Sequence, residues 1–282
     1  MTASPSVADK RHTFRALHDS GCFVMPNPWN VGTARYLQAQ GFKALATTSS
    51  GFAHAQGYAD GALPLDLVLA HLREMAAATD VPLNADFEGG HARDPESVAA
   101  NVRRALATGI AGISIEDSTG DAADPLYDVE LALARVRATR AAIDAAAGDA
   151  VLTARSEGFI VGRSDLDETT RRLKAFAAAG ADCLYAPGIR SREQIAAVVQ
   201  AVAPKPVNFL MSAATELTVE DLARLGVRRI SLGGTLARAA WTAVVTAARE
   251  IATQGKFAAL AGTMPNSELN TFFREDAKSR RS

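Results

Sequence analysis

Short β-rich runs alternate with longer, Ala-rich amphipathic runs along almost the whole chain, and this alternation constrains the fold more than any other feature. The β-rich runs occupy residues 22–25, 44–48, 81–86, 112–115, 150–154, 183–185, 206–210 and 229–232. Helical patterns follow them at residues 31–40, 65–78, from Pro95 onward, 129–146, 166–179, 192–202, 219–225 and 236–252, and a further amphipathic helix over 7–18 precedes the first strand. Asp94 is a good N-cap for the helix at Pro95, with Glu96 in its first turn. Gly41, Gly109, Gly180 and Gly226 each stand between a helix and the next strand, where a left-handed glycine closes a helix. Eight β-then-α units of roughly 25 to 35 residues are the pattern of a (β/α)8 TIM barrel of the usual size. A doubly wound open sheet is the rival, but it rarely needs eight consecutive units, and no G-x-G-x-x-G follows any strand.

All 282 residues are read as one domain, with the barrel core at about 21–253 and a C-terminal helical extension at about 256–282. Leu269, Phe272 and Phe273 give that extension an apolar patch that needs a cover, and its basic end, Lys278 to Arg281, reads as a solvated tail. A hydrophobic content of 48% sustains a sizeable core. The net charge of −1 argues against nucleic acid or an anionic membrane surface as the main partner, while leaving small anionic substrates open. Cys22 and Cys183 fall in separate strands and read as free buried thiols of a reducing compartment. Residues 1–11 are polar, without the apolar centre of a secretory signal, and no apolar run approaches membrane-spanning length. A cytoplasmic globular protein is the expectation.

In barrels of this kind the chemistry sits at the carboxyl ends of the strands. The third β-rich run ends in Asp86 and Glu88 before breaking into Gly89 and Gly90, and the fourth ends in Glu116 and Asp117. The other ends offer Pro26-Asn27, Thr48-Ser49-Ser50-Gly51, Arg155 with Glu157, Tyr185 with Pro187, and Gly233-Gly234, while Asn208 lies within the seventh strand. Such an acidic, oxygen-rich set, nearly free of histidine and thiol, suits Mg2+ or Mn2+ rather than zinc. The carboxylates at these two strand ends are the candidate metal ligands, although Asp86 or Glu116 alone could be an ordinary N-cap or barrel-mouth ion pair. Glu88 is read either as support to that site or as solvent-facing. Arg155 is the natural fork for a substrate carboxylate, with structural pairing to Glu116 or Asp86 as the alternative. Gly233-Gly234-Thr235 could cradle a phosphate or simply allow close backbone packing. His54 and Tyr58, in a long loop over 49–63, are candidates for proton transfer, with solvated surface positions as the alternative.

The order Thr48-Ser49-Ser50-Gly51, Gly57-Tyr58-Ala59-Asp60, Asn84-Ala85-Asp86, Ile115-Glu116-Asp117 and Thr153-Ala154-Arg155 resembles the phosphoenolpyruvate mutase/isocitrate lyase superfamily. The resemblance runs from about Phe23 to Trp241. It implies a Mg2+-dependent barrel acting on short 2-oxo or 2-hydroxy acids through an enolate-like intermediate. By position, Ser50, Gly51 and Phe52 would bind a substrate carboxylate, partly through backbone N–H groups. Asp60 would reach into the substrate site, Asp86 would ligate the metal directly, Glu116 would do so through water, and Arg155 would hold the substrate. Asn84, Glu88, Tyr185 and Asn208 would give further support. The family also exchanges its eighth helix between subunits, which would make this chain a homo-oligomer, dimer or tetramer, and cover the apolar tail.

Two departures shape the functional expectation. The lyase branch carries Lys-Arg-Cys-Gly-His after the fourth strand, and the phosphonomutase branch a lysine and an asparagine there with a histidine after the sixth. Here the fourth-strand loop runs Ser118-Thr119-Gly120-Asp121-Ala122-Ala123-Asp124-Pro125, and the sixth strand ends Tyr185-Ala186-Pro187. Asn84 replaces the first aspartate of the family's Asp-Ala-Asp, removing one negative charge. Decarboxylation or a related C–C cleavage of an oxaloacetate-like diacid asks least of the missing loop, since solvent can protonate the enolate. Phosphoenolpyruvate or phosphonopyruvate mutase or hydrolase chemistry is the alternative enzyme reading, and a barrel that only binds carboxylates is the third.

Overall fold

The structure, a computed structural model, describes residues 4–146 and 148–280, so Arg281 of the basic tail lies outside the described residues. The eight strands are β1 (Phe23–Met25), β2 (Leu45–Ala46), β3 (Leu83–Asp86), β4 (Gly112–Glu116), β5 (Val151–Arg155), β6 (Cys183–Tyr185), β7 (Val207–Leu210) and β8 (Arg229–Ser231). The helices are α1 (Val7–Ala16), α2 (Val31–Ala39), α3 (Ser49–Ala55), α4 (Leu65–Ala78), α5 (Pro95–Leu106), α6 (Val129–Ala145), α7 (Leu166–Ala178), α8 (Arg192–Val202), α9 (Val219–Arg224), α10 (Thr235–Gln254) and α11 (Asn266–Ser279). The ladder is parallel throughout and runs β1-β8-β7-β6-β5-β4-β3-β2. Between β1 and β2 the gap is bridged by the Ala46 amide donating to the Pro26 carbonyl at 3.1 Å and by the Asn27 side-chain amide donating to the Thr47 carbonyl at 2.8 Å. The result is a nearly closed (β/α)8 barrel, as the alternation requires.

Strand alternation sorts the side chains. Leu83, Ala85, Phe87, Ile113, Ile115, Leu152, Ala154, Leu184, Val207 and Ile230 share one apolar cluster with the helix residues Val68, Leu72, Val98, Val102, Val136 and Phe176. The residues between them turn to the barrel interior. There Met25, Ala46, Val151 and Cys183 pack with Phe14 of α1, and Asn84, Ser114, Thr153, Asn208, Arg229 and Ser231 are buried polar groups. Arg229 is almost wholly enclosed, yet its guanidinium donates to Asn208 Oδ1 at 2.8 Å and Thr153 Oγ1 at 3.0 Å and lies 3.4 Å from His18 Nε2. Burial pushes the His18 pKa down to about 3, so its ring is neutral beside that charge.

The structure departs from the sequence reading locally. About half of the strand and helix ends move by one or two residues, and β2 shortens to a pair. The stretch read as a long loop opens with α3, because the Thr48 hydroxyl caps it by accepting from the Gly51 amide at 3.2 Å. Seven residues are too few to show a helical period in the sequence. Gly41, Gly109, Gly180 and Gly226 all have φ between 88° and 104°, as helix-closing positions demand. Cys22 and Cys183 are free thiols. Among the described residues no helix is long and apolar enough to cross a membrane.

The chain divides into two compact units, the barrel strands lying in residues 5–234 and α10 and α11 in residues 235–280. In the second unit Trp241, Val244, Phe257, Leu260, Met264 and Leu269 are exposed, and Phe272 and Phe273 meet edge to face at 4.9 Å.

Gly112 tests the packing inside the barrel. A Cβ there would lie 2.6 Å from Phe14 Cε1 and 2.8 Å from Asn84 Oδ1. Gly112→Ala is therefore expected to cost about 1–3 kcal/mol, measured by urea unfolding; an unchanged midpoint would show that α1 yields freely.

Candidate active site

Because β3, β4 and β5 are parallel neighbours in register, their last inward residues arrive together: Glu116 pairs with Arg155 in the ladder, and Asp86 lies opposite Ser114. Arg155 binds three carboxylates at once. Nη1 donates to Asp86 Oδ1 at 2.7 Å, Nη2 meets Glu116 Oε2 at 3.2 Å, and Nε donates to Glu157 Oε1 at 2.8 Å. The Tyr185 ring lies 5.1 Å beneath the guanidinium. Glu88 and Asp60 join Glu116, Arg155 and Glu157 in the wall of a cavity of about 500 Å³.

Negative charge exceeds positive in this cluster, and burial amplifies the imbalance. Burial holds the Glu116 carboxyl well above its ordinary value, with Glu157, Asp86 and Glu88 adding to the effect and Arg155 opposing it. Burial, then Asp86 and Asp60, push Glu88 up to about 7. Although burial disfavours the Arg155 charge, Glu157, Glu116 and Asp86 together hold its pKa well above the usual value. Burial also pushes Asp117 up to about 6 and Tyr185 up to about 12.

Two buried arginines brace these groups from the helix layer. Arg172 of α7 donates to the Tyr127 carbonyl at 2.9 Å and meets Asp117 Oδ2 at 3.3 Å, and Asp117 Oδ1 accepts from the Glu157 amide at 2.8 Å. Arg135 of α6 donates to the carbonyls of Gly89, Ala92 (2.6 Å) and Arg93 (2.5 Å), and stacks 4.1 Å over the Tyr127 ring. The loop it grips contains two non-glycine residues in the left-handed region, Glu88 at φ 48° and His91 at φ 53°. Such conformations persist only where the surroundings over-determine them, and they concentrate at functional sites.

The expected residues are thus partly gathered. Asp60, Glu88, Glu116 and Arg155 line one cavity, and Asp86 is tied to it through Arg155. The amides of Gly51 and Phe52 are already spent on Thr48 within the α3 cap, and the Phe52 ring stacks 3.7 Å from His71 instead of facing the cavity. Ser50 Oγ lies 3.3 Å from Thr48 Oγ1. The Asn208 side chain is committed to Arg229 and to Ser231 Oγ, the latter at 2.9 Å, within the barrel interior. Asn84 is also interior, its amide donating to the Ala85 carbonyl at 3.1 Å while Oδ1 has no hydrogen-bond partner. His54 and Tyr58 are exposed and do not line the cavity. Gly233 and Gly234 serve close packing: Asn27 Oδ1 accepts from the Leu232 and Gly233 amides, and a Cβ on Gly234 would lie 2.6 Å from Ser50 Oγ.

The sequence reading did not single out His91, Tyr127 or Arg135, and it named Ser49 only within the Thr48–Gly51 run, without a role. The Ser49 amide donates to Asp86 Oδ2 at 3.0 Å. His91 and Tyr127 line the cavity. For His91 a signal existed, its place two residues after the third strand's terminal Glu-Gly, whereas nothing in the local sequence links Arg135 to that loop.

The donor set fits a hard divalent cation. Among the described residues no three acidic, histidine or cysteine side chains converge as a ready cage. Mg2+ characteristically takes one or two carboxylates and completes its shell with water and substrate oxygens. Asp86 and Glu116 would supply those carboxylates, and the excess negative charge around Arg155 is what a dication would relieve.

Residues 14–252 match the phosphoenolpyruvate phosphomutase family. The chain belongs to that family. Within the phosphoenolpyruvate mutase/isocitrate lyase superfamily, it is 30% identical to an oxaloacetate decarboxylase of Paraburkholderia xenovorans over 78% of this chain and 74% of the relative. A Burkholderia cenocepacia crystal structure, provisionally assigned as a lyase or mutase, is 43% identical, with a TM-score of 0.90, and the match covers 95% of this chain and 96% of that one. A phosphonopyruvate hydrolase complexed with oxalate and Mg2+ is 26% identical with a TM-score of 0.83, covering 96% and 97% of the two chains. These family members agree with the reading of a carbon–carbon lyase and with its phosphonate alternative.

The Phe52–His71 stack that seats α3 against α4 makes stability depend on pH. Burial pushes the His71 pKa down to about 4, and its Nε2 has no partner. Between about pH 6.5 and 4 the unfolded chain binds a proton that the folded chain refuses, so stability falls as pH falls through that window, by roughly 1.4 kcal/mol per unit. In parallel denaturation curves, His71→Leu is expected to gain on the wild type by about that slope below pH 6; parallel losses in both proteins would refute it.

Proposed function

We propose that this family member is a Mg2+-dependent lyase that decarboxylates, or cleaves a C–C bond in, a short 2-oxo diacid resembling oxaloacetate, by way of an enolate. One observation carries the reading: a single arginine surrounded by strand-end carboxylates in a cavity sized for a small ligand. The named activities of the decarboxylase and hydrolase relatives are compatible with it. Asp86 and Glu116 would hold the metal, Mg2+ or in its place Mn2+, with Glu88 in support. When bound, the metal supplies Lewis-acid stabilisation of the negative charge that develops on the keto oxygen.

The chain's own groups supply position and charge. Arg155 is the substrate's anchor. Its 3.2 Å contact with Glu116 is the longest of its three and the one a substrate carboxylate exchanges with. Ser49 and the α3 cap keep Asp86 in place, while Asp60 at the cavity wall faces the distal end of the ligand. Ser50 stands beside this cap as the remaining carboxylate contact. Tyr185, kept protonated, presents its ring to the guanidinium and its hydroxyl to Ser231. The exposed apolar side chains of residues 235–280 support a homo-oligomer, dimer or tetramer, assembled by exchange of the eighth helix. A cytoplasmic location goes with this reading.

Oxaloacetate with Mg2+ and the protein is expected to release CO2 above the metal-only background, and no excess would sink the decarboxylase reading. Turnover of phosphonopyruvate, followed by phosphorus NMR, would transfer the site to the phosphonate alternative. Stabilisation by oxalate with no turnover of either compound would indicate a barrel that only binds.

Two substitutions separate the roles. Arg155→Met is expected to lower kcat by on the order of 10²–10³ while Mn2+ still binds. Asp86→Asn is expected to weaken Mn2+ binding by roughly tenfold or more, read by electron paramagnetic resonance. The reverse pattern would exchange the two assignments.

A further inference from the structure

We propose that His91 is the proton-transfer residue of this cavity, moving a proton to and from the carbon next to the keto group of a bound 2-oxo acid. The proposal rests on the enolate chemistry put forward above and supplies the group that the cysteine-free loop after β4 lacks.

Four observations converge on it. His91 lines the cavity with Glu88, Glu116, Arg155 and Tyr127, and among the described residues it is the only histidine that does. Its Nε2 is buried and has no hydrogen-bond partner. A buried imidazole nitrogen left uncommitted is unusual unless a ligand or a proton completes it. The ring is also oriented, since it packs edge-on against Phe87 at 4.9 Å.

The backbone supplies the fourth observation. At φ 53° His91 occupies a conformation that disfavours most side chains. The loop is nonetheless fixed on both sides. Arg135 takes the carbonyls of Gly89, Ala92 and Arg93, and the Asn101 amide takes those of Gly90 at 3.0 Å and His91 itself at 3.3 Å. That much hydrogen bonding to hold one histidine in a costly conformation is the arrangement expected where the side chain has a task. Arg135 is accordingly a positioning residue.

The step balances within the site. An imidazole nitrogen takes a proton from C3 of the bound 2-oxo acid, the C–H pair becomes the C2–C3 π bond, and the keto oxygen takes the negative charge. The reverse delivers the proton to C3 of an enolate and leaves a neutral ring. After C–C cleavage the ring, recharged with a proton from water, quenches the enolate on one face.

Hydrogen–deuterium exchange at C3 of 2-oxobutanoate in D2O, followed by proton NMR with protein and Mg2+, tests the step without requiring any cleavage. The wild type is expected to exchange one of the two C3 protons selectively. His91→Asn keeps a residue that tolerates the left-handed backbone and is expected to lose at least 10²-fold in exchange. His91→Gly, which suits the backbone equally, is expected to regain exchange on addition of imidazole. Thermal unfolding of both variants guards against simple misfolding. Absence of selective exchange by the wild type, or wild-type exchange by folded His91→Asn, overturns the proposal. CO2 release from oxaloacetate, measured on the same wild-type sample, judges the decarboxylase reading separately, because exchange can persist where cleavage fails and the converse.

Discussion

The site depends on one buried guanidinium shared among carboxylates from three stretches of chain. Arg155 at the end of β5 reaches back to Asp86 of β3, sideways to Glu116 of β4 and forward to Glu157. An ion pair this enclosed is costly to assemble, and removing one partner strands the others. Barrel closure lowers that cost by holding the strand ends in place through the backbone ladder. The ladder register that sets Glu116 opposite Arg155 is a property of the backbone, so the charges meet with little side-chain ordering left to do.

The helices contribute a second tier of control. Arg172 and Arg135 reach inward from α7 and α6, and neither lines the cavity. Both spend donors on backbone carbonyls: Arg172 holds the Tyr127 carbonyl and Asp117, and Arg135 the turn after β3. A guanidinium satisfied by fixed carbonyls cannot swing into the site to neutralise the carboxylates. The helix layer therefore adds rigidity, and its one direct ion pair to a strand-end carboxylate is spent on Asp117, outside the cavity wall, so the carboxylates around Arg155 keep their excess negative charge.

Much of this was legible in the sequence because it follows from local patterns. The alternation of β-rich and Ala-rich runs carries the barrel, since each unit's periodicity is visible within about 30 residues. Asp86, Glu116 and Arg155 could be named because a barrel displays its chemistry where its strands stop. What stayed hidden was long-range or conformational. The reach of Arg135 across 46 residues to Gly89, and the commitment of the Gly51 and Phe52 amides to a helix cap, depend on tertiary contacts. Asn208 was placed near the site by its strand, but position along a strand does not reveal that Arg229 claims its side chain. The left-handed backbone at Glu88 and His91 contradicts local preference, and so composition could not reveal it.

Asn84 shows how one substitution couples these tiers. It points into the barrel on the same side as Asp86, one step deeper, with its Oδ1 unpaired and close enough to forbid a side chain at Gly112. An aspartate there would add a charge to an interior whose nearby cavity already forces Glu116 and Glu88 to hold their protons more tightly than usual. Asparagine avoids that repulsion at the expense of one potential ligand. At the rim Glu88 and Glu157 stand as carboxylates beyond Asp86 and Glu116. Negative charge in the strand-end loop lies beside the cavity, so its position depends on the turn that Arg135 clamps through the Gly89, Ala92 and Arg93 carbonyls.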